Sequence, residues 1–158
     1  MSTIGNADDK VSQGIRMNWK LIFGLSLFGL VMAVGTVFWV PSSIEPLFWL
    51  IIFLVCAFLT ARQLPSRHFI HGLLVGIVNS VWVTTAHIVW FDRYMANHPR
   101  EAAMSQSMPL PNSPRLMMAL VGPVIGIVSG VVLGLFCLIA ARFVKPRRSS
   151  LEARGDSE

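Results

Sequence analysis

Charge is what this sequence has least of. Asp, Glu, Lys and Arg make up 13% of its 158 residues, against about 25% in an ordinary soluble domain. None of these charges lies within the four long apolar runs, short of their ends. Proton- or ion-coupled transporters and voltage sensors keep charges inside the membrane, where they mark the coupling path. Their absence argues against such machines. Cysteine is also scarce: Cys56 and Cys137 stand alone, without a CxxC pair or zinc spacing, and thiols in apolar runs act as small hydrophobes. No phosphate-binding loop or nucleophile elbow occurs, and no catalytic His/Asp set. The polar segments are too short to fold into a catalytic domain. Neither an enzyme nor a cofactor is expected.

Apolar residues are what the sequence has in abundance, at 54%, with a mean hydropathy of +0.62. They fall into four runs: Leu21 to Val40, Leu47 to Ala61, Phe69 to Phe91 and Leu116 to Phe143. A bilayer core about 30 Å thick takes about 20 helical residues at 1.5 Å each. The second run is the shortest, and reaches a spanning length only with Ile44 to Pro46 added. The first run ends Phe38-Trp39-Val40-Pro41, a poor cleavage site for a signal peptide. The expected fold is therefore all-α: a polytopic membrane protein with spans at about 20–40, 45–61, 68–91 and 116–142. Residues 1–18 read as a disordered tail, 19–143 as a single transmembrane domain, and 144–158 as a basic tail. Short turns at Pro41–Pro46 and Arg62–Arg67 and a longer outer loop at 92–115 join the spans into two antiparallel hairpins.

Basic residues in the connecting segments set orientation. With the N-terminus inside, Lys10, Arg16, Lys20, Arg62, Arg67, Arg142, Lys145, Arg147, Arg148 and Arg154 are cytoplasmic. Only Arg93, Arg100 and Arg115 are outside. Trp39, Trp49, Trp90 and Tyr94 then form an outer aromatic belt, with Trp19 at the inner boundary. Both termini are expected in the cytoplasm. The net charge of +5 is accounted for by these flanks, which suit anionic headgroups, and nucleic acid is not an expected partner.

The clearest pattern is a stripe of small residues. Gly122, Gly126, Gly130 and Gly134 recur every fourth residue in the last span, with Ser129 beside them. Gly72, Gly76 and Ser80, next to Asn79, make a matching stripe in the third. Such spacing lets two backbones approach closely, which predicts packing of the third span on the fourth. A homo- or hetero-oligomer face and a pore are the other uses of such a stripe. Asn79, at mid-span, needs a partner in hydrocarbon, and Ser129 or a glycine-exposed carbonyl of the last span would supply one. Pro123 predicts a kink near Ala119–Pro123. Haem held by two histidines takes them from facing helices. Here His68, His71 and His87 all belong to the third span, in groups ~24 Å apart.

The segment from Phe69 to Lys145, with Phe69-Ile-His-Gly72, a Tyr94-bearing loop and Gly122-Pro-Val-Ile-Gly126, resembles small four-helix bacterial membrane proteins of unknown function. The resemblance implies a bacterial inner-membrane setting and brings no functional residues with it. Three functional readings follow. The leading one is a non-enzymatic accessory, assembly or scaffold bundle in the lipid bilayer. The alternative is a small channel or transporter for a neutral or weakly polar solute, with Asn79, Ser80, Thr84, Thr85 and His87 lining the path. A minor one is copper handling by the outer loop, whose Met95, Met104 and Met108 thioethers with His98 suit Cu(I).

Overall fold

The computed structural model describes residues 17–107, 109–110 and 112–146. Most of the two expected tails lies outside them, as does Met108. The described residues form six helices and no strand: α1 Trp19–Phe38, α2 Glu45–Gln63, α3 His68–Val89, α4 Phe91–Asn97, α5 Pro99–Gln106 and α6 Pro114–Phe143. Four of these, α1, α2, α3 and α6, are long and apolar enough to span a membrane, which marks an integral membrane protein.

The helix ends follow local chemistry. Asn18 caps α1, its side-chain oxygen accepting the Leu21 N–H at 3.1 Å. At the other end of α1 the Trp39 and Val40 N–H groups both turn back to the Gly35 carbonyl at 2.8 Å, so the helix stops before its apolar run does. Pro46 and Pro114 occupy the first turns of α2 and α6, where a missing N–H costs nothing. Arg67 has φ 60, the left-handed turn that starts α3. α6 continues unbroken through Pro123.

α3 is the centre of the bundle. It packs most extensively on α6 and next on α1, while α2 packs mainly on α6. The consecutive helices α1 and α2 touch little, so the first pair of spans is not a tightly packed hairpin. Small residues explain the choice of partner: Ser26, Gly29, Ala33 and Thr36 are all buried on α1, a second small-residue face, and α3 lies against it.

The two ends of the bundle differ. At the end bearing the chain termini, all four spans meet in one apolar cluster that includes Ile22, Cys56, Ala57, Val75, Leu133 and Cys137. His71 ties this end together. Its Nδ1 donates to the Arg67 carbonyl at 2.9 Å, and its Nε2 accepts the Asn18 N–H at 3.1 Å. At the loop end a smaller cluster joins Ala33 and Val37 of α1 to Ala86 and Tyr94. Large side chains on the outward faces, such as Leu54, Val81, Leu120, Val124 and Ile127, are exposed, as lipid contact requires.

Candidate functional site

The glycines come first, because they set how close α3 and α6 lie. A Cβ on Gly76 would strike the backbone of Gly130, and one on Gly72 would come within 2.8 Å of the Gly134 backbone. Farther along, Gly126 faces the Ser80 side chain and Gly122 faces Thr84. Gly130 lies against the Leu73 carbonyl and Gly134 against Phe69. The stripe on α6 is thus covered by α3 of the same chain.

Asn79 is placed differently from the sequence expectation. Its side chain lies over Gly29 of α1, and neither its amide nitrogen nor its oxygen has a hydrogen-bond partner among the described residues. Successive residues on a helix turn by about 100°, which puts position 79 between the α1-facing and α6-facing sides of α3, and it makes no hydrogen bond to Ser129. The residue is 4% exposed. A buried amide without a partner costs about 1–3 kcal/mol, and here both polar atoms are shut off from open space.

Such a space exists beside it. A cavity of about 880 Å³ lies between the first half of α2, the loop-side half of α3 and α6. The buried residues of α2 (Cys56, Ala57, Thr60 and Ala61) all belong to its second half. Its first half has none, and Trp49, Leu50 and Phe53 wall the cavity instead. On α3 the wall is Gly76, Asn79, Ser80, Val83, Thr84 and His87. Thr85, expected among path-lining residues, is exposed on another side of the helix, about 100° from Thr84. The α6 wall is mainly apolar, with Val121, Ile125, Val132 and Phe136 beside Ser129. An edge-to-face pair, Phe53 and Phe136 with centroids 6.2 Å apart, floors the cavity against the terminal core.

The loop-side end is polar, and two short helices build it. α4 folds back so that Tyr94 is 7% exposed. Asn97 anchors α4 by donating to the Val37 carbonyl at 2.6 Å. The Tyr94 ring is sandwiched between His87, with centroids 3.8 Å apart, and His98, at 4.3 Å. Thr36 gives its one hydroxyl hydrogen to the Ala33 carbonyl at 3.0 Å, so its 3.1 Å contact with His87 Nε2 has the ring as donor. His98 Nδ1 donates to the Tyr94 carbonyl at 3.0 Å. Its Nε2 is buried without a hydrogen-bond partner, 4.0 Å from Glu45 Oε2.

Two carboxylates complete the roof. Glu45, at the start of α2, accepts the Trp49 indole N–H at 3.1 Å. Glu101, on α5, accepts the Ser42 hydroxyl at 2.9 Å, which fastens α5 to the turn between α1 and α2. Both border the cavity. Tyr94 registers them: burial raises its phenol pKa above the ordinary value, and the charges of Glu45 and Glu101 raise it further. The phenol therefore stays neutral throughout the physiological range.

Among the outer-loop candidates for copper, Met95 and Met104 border the cavity, whereas His98 is fully buried beneath Tyr94. No group of three His, Cys, Asp or Glu among the described residues is arranged to hold a metal ion. Cys56 and Cys137 are free thiols buried in the terminal core. Sequence reasoning did not single out Glu45 or Glu101. Gly29, the small residue under Asn79, was also missed, although Ser26-x-x-Gly29-x-x-x-Ala33-x-x-Thr36 is a readable signal. No protein-family model matches this chain, and neither a curated protein nor a solved structure matches it.

Proposed function

We propose that this chain is a non-enzymatic membrane bundle that binds an amphiphilic small molecule within the bilayer. The apolar body would lie between α2, α3 and α6, and the polar end under α4 and α5. The cavity between the splayed half of α2 and the α3–α6 pair carries this reading. Its volume falls in the range of sites for drug-sized ligands, about 300–1,000 Å³, which are likewise mostly apolar with a few placed polar groups. Ser80 and Thr84 on the α3 wall add polar contacts. The reading develops the channel-or-transporter alternative for a weakly polar solute. The accessory-subunit reading drew on the glycine stripe, and α3 already covers that stripe.

In the orientation we propose, both termini are cytoplasmic and the roof faces outward, across a bacterial inner membrane. The ten-to-three excess of basic residues and the aromatic belt support the orientation, and the resemblance noted above supports the setting. The test is binding of the neutral fluorescent amphiphile N-phenylnaphthylamine to the purified chain in nanodiscs, read above protein-free discs. Saturable binding is expected, and Val121→Trp, which fills the cavity wall, should weaken it about tenfold or more with thermal unfolding unchanged. Binding that is absent, or indifferent to Val121→Trp, would refute the reading.

A further inference from the structure

We propose that the polar end of the ligand is a cation: the cavity takes a lipophilic amine or quaternary onium, with Glu45 and Glu101 as its counter-charges. This rests on the amphiphile-binding reading above and goes further by assigning the charge of the head.

The two carboxylates come from elements far apart in sequence, α2 and α5, and both open onto the same cavity. Each is held by a neutral donor, Trp49 for Glu45 and Ser42 for Glu101. Among the described residues, neither forms an ion pair with Lys or Arg. Arg100 also borders the cavity, but it is exposed and pairs with neither. A carboxylate at the edge of a low-dielectric space is stabilised by an opposite charge brought beside it.

The remaining groups fit a cation better than an anion. Tyr94 and His87 face the same space from α4 and α3, and Tyr94 is held as a neutral phenol. His98 has its Nδ1 hydrogen committed to the Tyr94 carbonyl, so in the neutral ring Nε2 is a lone pair facing the Glu45 carboxylate at 4.0 Å. Nε2 has no hydrogen-bond partner among the described residues, and at 4.0 Å it does not hydrogen-bond Glu45 either. Trp49, on the cavity wall beside Glu45, adds an aromatic face of the kind that attracts onium groups. Below this roof the walls are mainly apolar down to Phe53 and Phe136, which suits a cation with a hydrophobic body.

Tetraphenylphosphonium and tetraphenylborate have the same shape and opposite charge, which makes them a direct probe pair. Binding of each to the full chain in nanodiscs of zwitterionic lipid should be measured beside N-phenylnaphthylamine. The phosphonium should bind saturably and the borate should not. Glu45→Gln with Glu101→Gln should weaken the phosphonium about tenfold or more relative to N-phenylnaphthylamine, with thermal unfolding as in the parent chain. A second readout uses the single tyrosine of the chain: bound phosphonium should move the near-ultraviolet ionisation of Tyr94 to lower pH, since a positive neighbour favours the phenolate. If N-phenylnaphthylamine binds while phosphonium does not, or while the double variant holds phosphonium unchanged, the cation assignment is overturned and the cavity reading stands. Preferential binding of the borate would assign the site to anions through Arg100 and also overturn it. If no probe binds, the underlying reading fails, and this one with it.

Discussion

The two halves of α2 face the same neighbours and behave differently. Its second half presents Cys56, Ala57, Thr60 and Ala61 to α6 and is buried there. Its first half, with Leu47, Phe48, Leu50 and Ile51 exposed, stands off and leaves the cavity. Without water to drive helices together, close approach in a membrane depends on small residues that let backbones meet. Side-chain size along one helix therefore divides the bundle into a closely packed core on the terminal side and an open cavity on the loop side. The polar roof belongs to the open end, where Glu45, Tyr94 and Glu101 border the cavity.

Substitutions test this contrast in order of expected size. The largest effect should come from the α3–α6 seam, which both ends share. Gly76→Leu drives a side chain into the Gly130 backbone, and should cost about 3 kcal/mol or more by overpacking, read as a fall in unfolding midpoint during denaturing-detergent titration. Gly24→Leu is the matched control, because a Cβ there meets nothing within 4 Å, and it should stay within about 0.5 kcal/mol of the parent. A stable Gly76→Leu chain would mean that the seam is not closely packed. A smaller effect should separate the halves of α2. Ala57→Leu, in the closed half, should cost about 1–3 kcal/mol, while Leu50→Ala, on the open half, should cost under about 1 kcal/mol. Equal costs would erase the distinction between the halves.

The sequence makes the spans legible because lipid imposes a length and forbids charge. Their ends shift by a residue or two where local caps intervene, as at Gly35, whose carbonyl takes two N–H groups and stops α1 at Phe38. The glycine spacing is legible for a similar reason: every fourth residue returns to one face of a helix, so a missing side chain repeats along a line. The roof is not legible. Glu45 reads as an ordinary acidic residue in a helix's first turn, and Glu101 as one of many polar residues in a loop. Only the fold-back of α4 and α5 brings them to one cavity. Asn79 shows the same limit at finer scale. Its polarity demands a partner, but which neighbour it meets depends on how α3 is rotated between α1 and α6, and composition does not report rotation.

The difference between the two ends is most directly tested by fluorescence quenching in two single-tryptophan chains. In one, Trp49 alone is kept, on the cavity wall. In the other, Trp19 alone is kept, half exposed at the terminal end. A bromoalkyl alcohol titrated into nanodiscs carrying each chain reaches both tryptophans through the lipid, but only Trp49 through the cavity. Saturable quenching of Trp49 is expected, abolished by Val121→Phe, which fills the wall without adding a fluorophore, with only a linear, unsaturable rise for Trp19. Linear quenching of both, with the same slope, would contradict it.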